Sequence, residues 1–138
     1  MRRHTMRPIV ATTFAVVCHA TASSAATMNA GPVPNGGGSQ TFQCTITNMS
    51  DLPRAIQVRV YDLVGTVIGN LNVPQTEPGR TIWIGVNSTA ATRCRFDTSS
   101  AATDYIATGC LKTSVEEVTT ACVNAVPVAE EFLPPGRR

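Results

Sequence analysis

The chain has two histidines, His4 and His19, and a single lysine, Lys112, the residue types best suited to acid–base or nucleophilic catalysis. Both histidines lie in an N-terminal stretch with the pattern of an export signal, so an exported mature chain would contain neither. No Ser-x-x-Lys motif ends at Lys112, so this lysine lacks the serine partner of a known catalytic pattern. We therefore expect a non-enzymatic protein with no catalytic residues, no cofactor and no metal site.

Two aspartates offer the remaining catalytic chemistry. Asp97 and Asp104 flank the segment Thr98–Thr103 and could approach each other across a hairpin, as the acid pair of a glycosidase does. Acids near turns more often accept local backbone hydrogen bonds, and the adjacent pairs Glu116–Glu117 and Glu130–Glu131 are typical of solvated charge. A small secreted carboxylate-dependent hydrolase is therefore the alternative function. A secreted protease inhibitor that presents the Thr98–Thr103 loop is another.

Four cysteines, Cys44, Cys94, Cys110 and Cys122, follow the export signal. No Cys-x2-Cys pair is present, so the spacing predicts two disulfides rather than a zinc site. Cys44 and Cys94 fall on the inward side of predicted strands, and Cys110 and Cys122 flank a turn at residues 114–117, which favours 44–94 with 110–122. The pairing 94–110 with 44–122 stays open, because Cys94 and Cys110 also lie on either side of a turn.

Residues 1–26 have the order of features found in a secretory signal peptide. Three arginines in the first seven residues precede the apolar run Pro8–Cys18, and small residues follow. The apolar run is about half the ~20 residues that a membrane-spanning helix needs. Cleavage after Ala22 or after Ala26 would satisfy the small-x-small rule. We expect a secreted or periplasmic protein with no membrane span after removal of the signal.

The balance of charge changes when the predicted signal peptide, the leader, is left out of the count. Three of the eleven basic residues lie in the leader, which leaves eight basic against nine acidic residues. This balance gives little of the extended basic surface that neutralises a nucleic-acid backbone, so we expect no nucleic-acid partner. A protein or glycan of the cell envelope is the partner that we expect.

Apolar and polar residues alternate with period two along most of the chain, which predicts half-buried antiparallel strands. The pattern is clear in four segments and weaker in three; together they are residues 41–47, 55–62, 66–73, 81–86, 93–97, 104–112 and 118–126. Turn residues separate these segments and no helical period is found. The sequence therefore predicts an all-β fold, an immunoglobulin-like antiparallel β-sandwich of about seven strands.

The same pattern divides the chain into four parts. We expect a signal peptide at 1–26, a flexible Gly/Pro-rich lead-in at 27–39, the β-sandwich domain at 40–128 and a C-terminal tail at 129–138.

The outward sides of the predicted strands carry side chains typical of recognition surfaces. These are Arg59, Tyr61, Trp83, Arg93 and Arg95. Arginine and aromatic residues are enriched where proteins bind partners, and the guanidinium fork suits carboxylate or phosphate. The sequence therefore predicts a binding face, and a role as a binding, adhesion or envelope-accessory module.

Short motifs in the predicted domain resemble those of a group of small, uncharacterised exported bacterial proteins with four cysteines. The likeness covers roughly residues 41–128 and is carried by the stretch Cys44–Ile68, Pro78-Gly79 before a strand, Cys94–Phe96, Gly109-Cys110-Leu111 and Ala121-Cys122. The resemblance implies a secreted or periplasmic immunoglobulin-like β-sandwich of unknown role, and it brings no catalytic residues. This chain lacks an arginine shortly before the third cysteine, so a shared ligand is not implied.

Overall fold

The computed structural model of the protein describes residues 25–33, 40–88, 92–113 and 119–128. This part of the chain forms nine strands and one 3-10 turn over Ala102–Asp104. The strands are β1 (Ala26–Val33), β2 (Gln40–Asn48), β3 (Arg54–Tyr61), β4 (Val67–Thr76), β5 (Thr81–Ser88), β6 (Thr92–Thr98), β7 (Tyr105–Thr113), β8 (Thr119–Asn124) and β9 (Val126–Pro127).

The strands form two antiparallel sheets that pack face to face. One sheet has five strands in the order β4-β3-β6-β1-β9, and the other has four in the order β5-β2-β7-β8. The predicted all-β sandwich is confirmed. All seven predicted strands are present, and β1 and β9 are additional.

The core lies between the sheets, because alternate residues of each strand point inward. In β2 and β3 the inward side chains are completely or almost completely buried, while their neighbours are partly exposed. The largest buried side chains are Phe42, Phe96, Ile46, Ile56, Val58 and Val60. Burial of an aliphatic or aromatic side chain contributes about 1.5–3 kcal/mol, so this layer holds the sheets together.

Both disulfides have the pairing that the sequence favours. Cys44–Cys94 connects β2 to β6 across the two sheets, and both cysteines are fully buried. Cys110–Cys122 connects neighbouring strands β7 and β8 within the four-stranded sheet, where the two residues lie directly opposite each other. Cys122 is exposed, so this bridge lies at the surface.

The prediction of a flexible lead-in is wrong for residues 27–33, which belong to β1. Met28 and Ala30 are buried, while Thr27 and Asn29, which alternate with them, are partly exposed. This is a short period-two pattern within a Gly/Pro-rich composition. Gly31 adopts a φ of +106°, a conformation that glycine tolerates. Pairing with β6 shifts between Ala30 and Val33, so the strand continues through a bulge.

Several predicted features lie outside the described residues. These are residues 1–24 of the leader, 34–39 of the lead-in, the turn at 114–117 with its glutamate pair, and the tail at 129–138 with the other pair. Where the structure describes the chain, no helix has the length and hydropathy to cross a membrane. The same residues bring no three His, Cys, Asp or Glu side chains together as a metal site.

Candidate functional site

The outer face of the five-stranded sheet brings together four of the five predicted binding residues. Arg59 and Tyr61 lie on β3, and Arg93 and Arg95 lie on the adjacent β6. The antiparallel register places Arg59 opposite Arg95 and Tyr61 opposite Arg93. Because inward and outward side chains alternate, all four share one face. We call these four residues the arginine face.

Asp97 balances the charge of two of these arginines. Its carboxylate is 3.1 Å from Nη2 of Arg59 and 3.1 Å from Nε of Arg95. The hydroxyl of Thr27 on β1 donates a further hydrogen bond to Oδ1, at 2.8 Å. Like charges directly across a strand pair repel each other, so the shared carboxylate stabilises the Arg59–Arg95 pair. Asp97 is therefore a structural partner of the arginine face.

Arg59 is held by several side chains at once. Its Nη2 donates to Oε1 of Gln57 at 2.9 Å, and its Nη1 donates to the Tyr61 hydroxyl at 3.3 Å. Its side chain is 32% exposed, and its Nε is buried without a hydrogen-bond partner. Arg59 thus fixes the Tyr61 ring rather than offering its charge to solvent.

Arg93 differs from the other two arginines because it forms no ion pair in the described part of the chain. Its guanidinium carbon lies 5.1 Å from the centroid of the Tyr61 ring, a cation–π arrangement. A pocket of about 160 Å³ opens beside it, lined by Asn29, Tyr61, Arg93 and Arg95. Two guanidinium groups and one amide at a small pocket can bind a carboxylate, sulfate or phosphate group.

A second pocket, of about 270 Å³, lies on the other side of Arg93. It is lined by Pro32 of β1, by Thr92 and Arg93 of β6, and by the β3–β4 turn at residues 62–65. Leu63 and Val64 at the tip of this turn are 67% and 86% exposed. We call residues 62–65 the apolar turn.

Four hydrogen bonds hold the apolar turn in one conformation. Oδ1 of Asp62 accepts the N–H groups of Val64 at 3.0 Å and of Thr66 at 2.7 Å. The backbone adds Asp62 N–H to Thr66 O and Gly65 N–H to Asp62 O. Gly65 has a φ of +86°, which a residue with a side chain rarely adopts. The turn is therefore ordered before any ligand arrives.

Trp83 is the predicted binding residue that the fold separates from the rest. It lies on β5 in the four-stranded sheet, opposite Thr45, and is 61% exposed. Its inward neighbours Ile82 and Ile84 belong to or pack against the core. Trp83 therefore lies on the opposite outer face of the sandwich from Arg93.

The two aspartates considered for catalysis have separate structural roles. Asp97 belongs to the ion-pair network, and Asp104 ends the 3-10 turn, where its carbonyl accepts the N–H of Met49 at 2.8 Å. In the described residues no hydrogen bond joins the two carboxylates. Within the intervening loop, Ser100 is fully buried and shares a 2.7 Å hydrogen bond with the Tyr105 hydroxyl.

The sequence analysis missed the contribution of β1 to the site. Thr27 binds Asp97 and Asn29 lines the smaller pocket, yet both were assigned to a flexible segment. The signal available was the alternation of Thr27 and Asn29 with Met28 and Ala30, which is short and precedes a Gly-Pro pair.

No protein-family model and no curated protein matches this sequence. Among solved structures, the chain is similar to Thermotoga maritima 1070, with 12% identity, a TM-score of 0.48, and coverage of 75% of this chain and 94% of that chain. It is also similar to FLGD from P. aeruginosa, with 15% identity, a TM-score of 0.29, and coverage of 78% and 76%. Neither likeness is close enough to indicate function, and the resemblance to exported four-cysteine proteins stays a prediction.

Proposed function

We propose that the protein is an exported, non-enzymatic binding module whose arginine face holds an acidic group of a protein or glycan partner at the cell envelope. The observation that carries the proposal is the state of Arg93. This guanidinium lies against the Tyr61 ring, forms no ion pair in the described structure, and borders a pocket that Arg95 also lines.

The chemistry of the pocket favours an anion. The arginine face and its partner Asp97 have three guanidinium groups and one carboxylate, so a positive charge remains after the internal ion pairs are formed. A hydrogen bond to a charged group contributes about 1.5–3 kcal/mol. Two such bonds correspond to weak binding of a single carboxylate, and several acidic groups on one partner would raise the affinity by avidity.

The two disulfides support the exported location. A buried cross-sheet bridge and a surface bridge in one small domain are typical of proteins of oxidising compartments, and the cytosol keeps such thiols reduced. Together with the predicted signal peptide at 1–26, they support a secreted or periplasmic site of action.

The test compares two double variants that remove the same charge. Arg93→Ala with Arg95→Ala should lower retention on immobilised polyglutamate at least tenfold at low ionic strength, because both pocket guanidinium groups are lost. Arg80→Ala with Lys112→Ala also removes two positive charges, outside the arginine face, and should stay within about twofold of wild type. Circular dichroism would verify that both variants fold. Equal retention of the two variants would show that net charge, and not this site, causes binding.

A further inference from the structure

We propose that the ligand of the arginine face is an acidic peptide segment in which an aliphatic side chain neighbours the carboxylate. The carboxylate binds Arg93 and Arg95, and the aliphatic side chain enters the pocket beside the apolar turn. The inference rests on the proposed function, since it names the class of ligand for the same site.

The carboxylate and the aliphatic side chain of the ligand belong together because Arg93 lines both pockets. A ligand that binds this guanidinium through a carboxylate therefore has the second pocket directly beside it. That pocket presents the apolar side chains of Pro32, Leu63 and Val64 beside the polar Asp62, Thr92 and Arg93, and the fold leaves Leu63 and Val64 largely exposed. Exposed apolar side chains around a concave site are typical of binding surfaces.

The ordered turn makes this pocket suitable for selective binding. Because hydrogen bonds already fix residues 62–66, a ligand loses little free energy in ordering them. The pocket of about 270 Å³ lies just below the roughly 300 Å³ at which sites for whole small molecules begin. Its size therefore suits one or two side chains of a longer ligand.

Charge distinguishes a peptide from an anionic membrane surface. Asp62 lies in the apolar turn itself, and residues 62–66 contain no basic side chain. A turn that inserted into an anionic bilayer would bring this carboxylate to the lipid head groups, where like charges repel. A peptide can direct its acidic group to Arg93 and Arg95 and place only an uncharged aliphatic side chain in the pocket that Asp62 lines.

The experiment uses two blocked pentapeptides that differ at one position, Gly-Gly-Leu-Glu-Gly and Gly-Gly-Gly-Glu-Gly. Titration of the full chain, followed by amide chemical shifts, should show about tenfold tighter binding of the leucine peptide, because partial burial of one aliphatic side chain has this effect. The shifts should include residues of the apolar turn only with the leucine peptide.

Variants separate the two pockets. Leu63→Ser with Val64→Ser should abolish the preference for leucine and leave the affinity for the glycine peptide unchanged. Leu52→Ser replaces another exposed leucine, in the 49–53 loop, and should keep the full preference. Arg93→Ala should weaken both peptides at least tenfold.

The outcomes distinguish the two proposals. Equal binding of both peptides by wild type, with loss in Arg93→Ala, would overturn the aliphatic requirement and leave the acidic site intact. No binding of either peptide, or binding of phosphatidylglycerol vesicles without a peptide preference, would overturn the peptide proposal. Polyglutamate retention would then decide separately whether the arginine face binds acidic groups at all.

Discussion

The two outer faces of the sandwich have the same backbone pattern and different chemistry. On the five-stranded sheet, two arginine side chains form ion pairs with the same carboxylate, that of Asp97. On the four-stranded sheet, hydroxyl and amide groups bind each other: Thr47 and Thr81 share a 2.8 Å hydrogen bond, and Thr41 donates to Asn87 at 3.0 Å. We call this second surface, with Trp83 among its residues, the threonine face.

The difference lies in how the polar groups of each face are paired. The threonine face has an exposed tryptophan, but the hydroxyls described above satisfy one another across strands. The arginine face contains Arg93, which has donors to offer and a pocket into which a ligand can fit.

The buried bridge is the disulfide that connects the two sheets in the described part of the chain, so its removal should have the largest effect on stability. Cys44→Ala with Cys94→Ala removes a disulfide between residues 50 positions apart, and should lower the free energy of unfolding by about 4 kcal/mol. Cys110→Ala with Cys122→Ala removes a surface disulfide between residues 12 positions apart, and should lower the free energy of unfolding by about 3 kcal/mol. Urea denaturation of both variants measures the difference. A larger loss for the second would contradict this account.

Neutralisation of Asp97 tests the ion pairs of the arginine face, which the threonine face lacks among its described contacts. Asp97→Asn leaves the partly buried Arg59 opposite Arg95 without a carboxylate, so the free energy of unfolding should fall by about 1–3 kcal/mol. Retention on polyglutamate should rise in the same variant, because the pocket gains positive charge. Asp51→Asn, at an exposed position, serves as the control. Weaker retention in Asp97→Asn than in wild type would refute this role for Asp97.

Signal cleavage determines how much of β1 supports the arginine face. Ala26 pairs with Thr98, and its carbonyl accepts the Thr98 hydroxyl at 3.1 Å, so cleavage after Ala26 would remove about 1 kcal/mol of stability. A chain that begins at Ser23 should therefore be more stable than one that begins at Thr27 by about this amount. Urea denaturation of the two chains measures the difference, and equal stability would contradict this role for Ala26.

Trp83→Ala should have the smallest effect. The side chain is largely exposed on the threonine face, so the free energy of unfolding should change by about 0.5 kcal/mol or less. Retention on polyglutamate should equal that of wild type. A loss of retention similar to that of the Arg93/Arg95 double variant would mean that both faces contact the ligand.

Seven of the nine described strands, and the inward positions of Cys44 and Cys94, could be predicted because they depend on local alternation, whereas the disulfide pairing was favoured but left open. Cys44 and Cys94 were placed inward by the same period that placed Phe42 and Phe96 inward, and these positions are buried. Alternation tells which side of a strand faces the core, but not which sheet contains the strand. Trp83 was therefore grouped with the arginines, although β5 and β6 lie in different sheets.

The remaining features depend on contacts between distant parts of the chain. The larger pocket needs Pro32, the apolar turn and Arg93 side by side, and no local pattern brings these three together. Strand β1 was missed because Gly31 and Pro32 are usually found in loops, and only the positive φ of Gly31 together with a bulge lets them continue a strand.

The position of β1 in the sheet affects the order in which the strands can pair during folding. A ribosome delivers β1 first, but its neighbour β6 follows much later, since Thr27 binds Asp97 across 70 positions. Until then Met28 and Ala30 have no sheet to cover them, and closing so long a loop slows folding. β6 also pairs with β3 and supplies Cys94, Arg93 and Arg95. This one strand therefore permits the cross-sheet bridge and completes the lining of both pockets, while β7 afterwards adds Tyr105, Ala107 and Leu111 to the core.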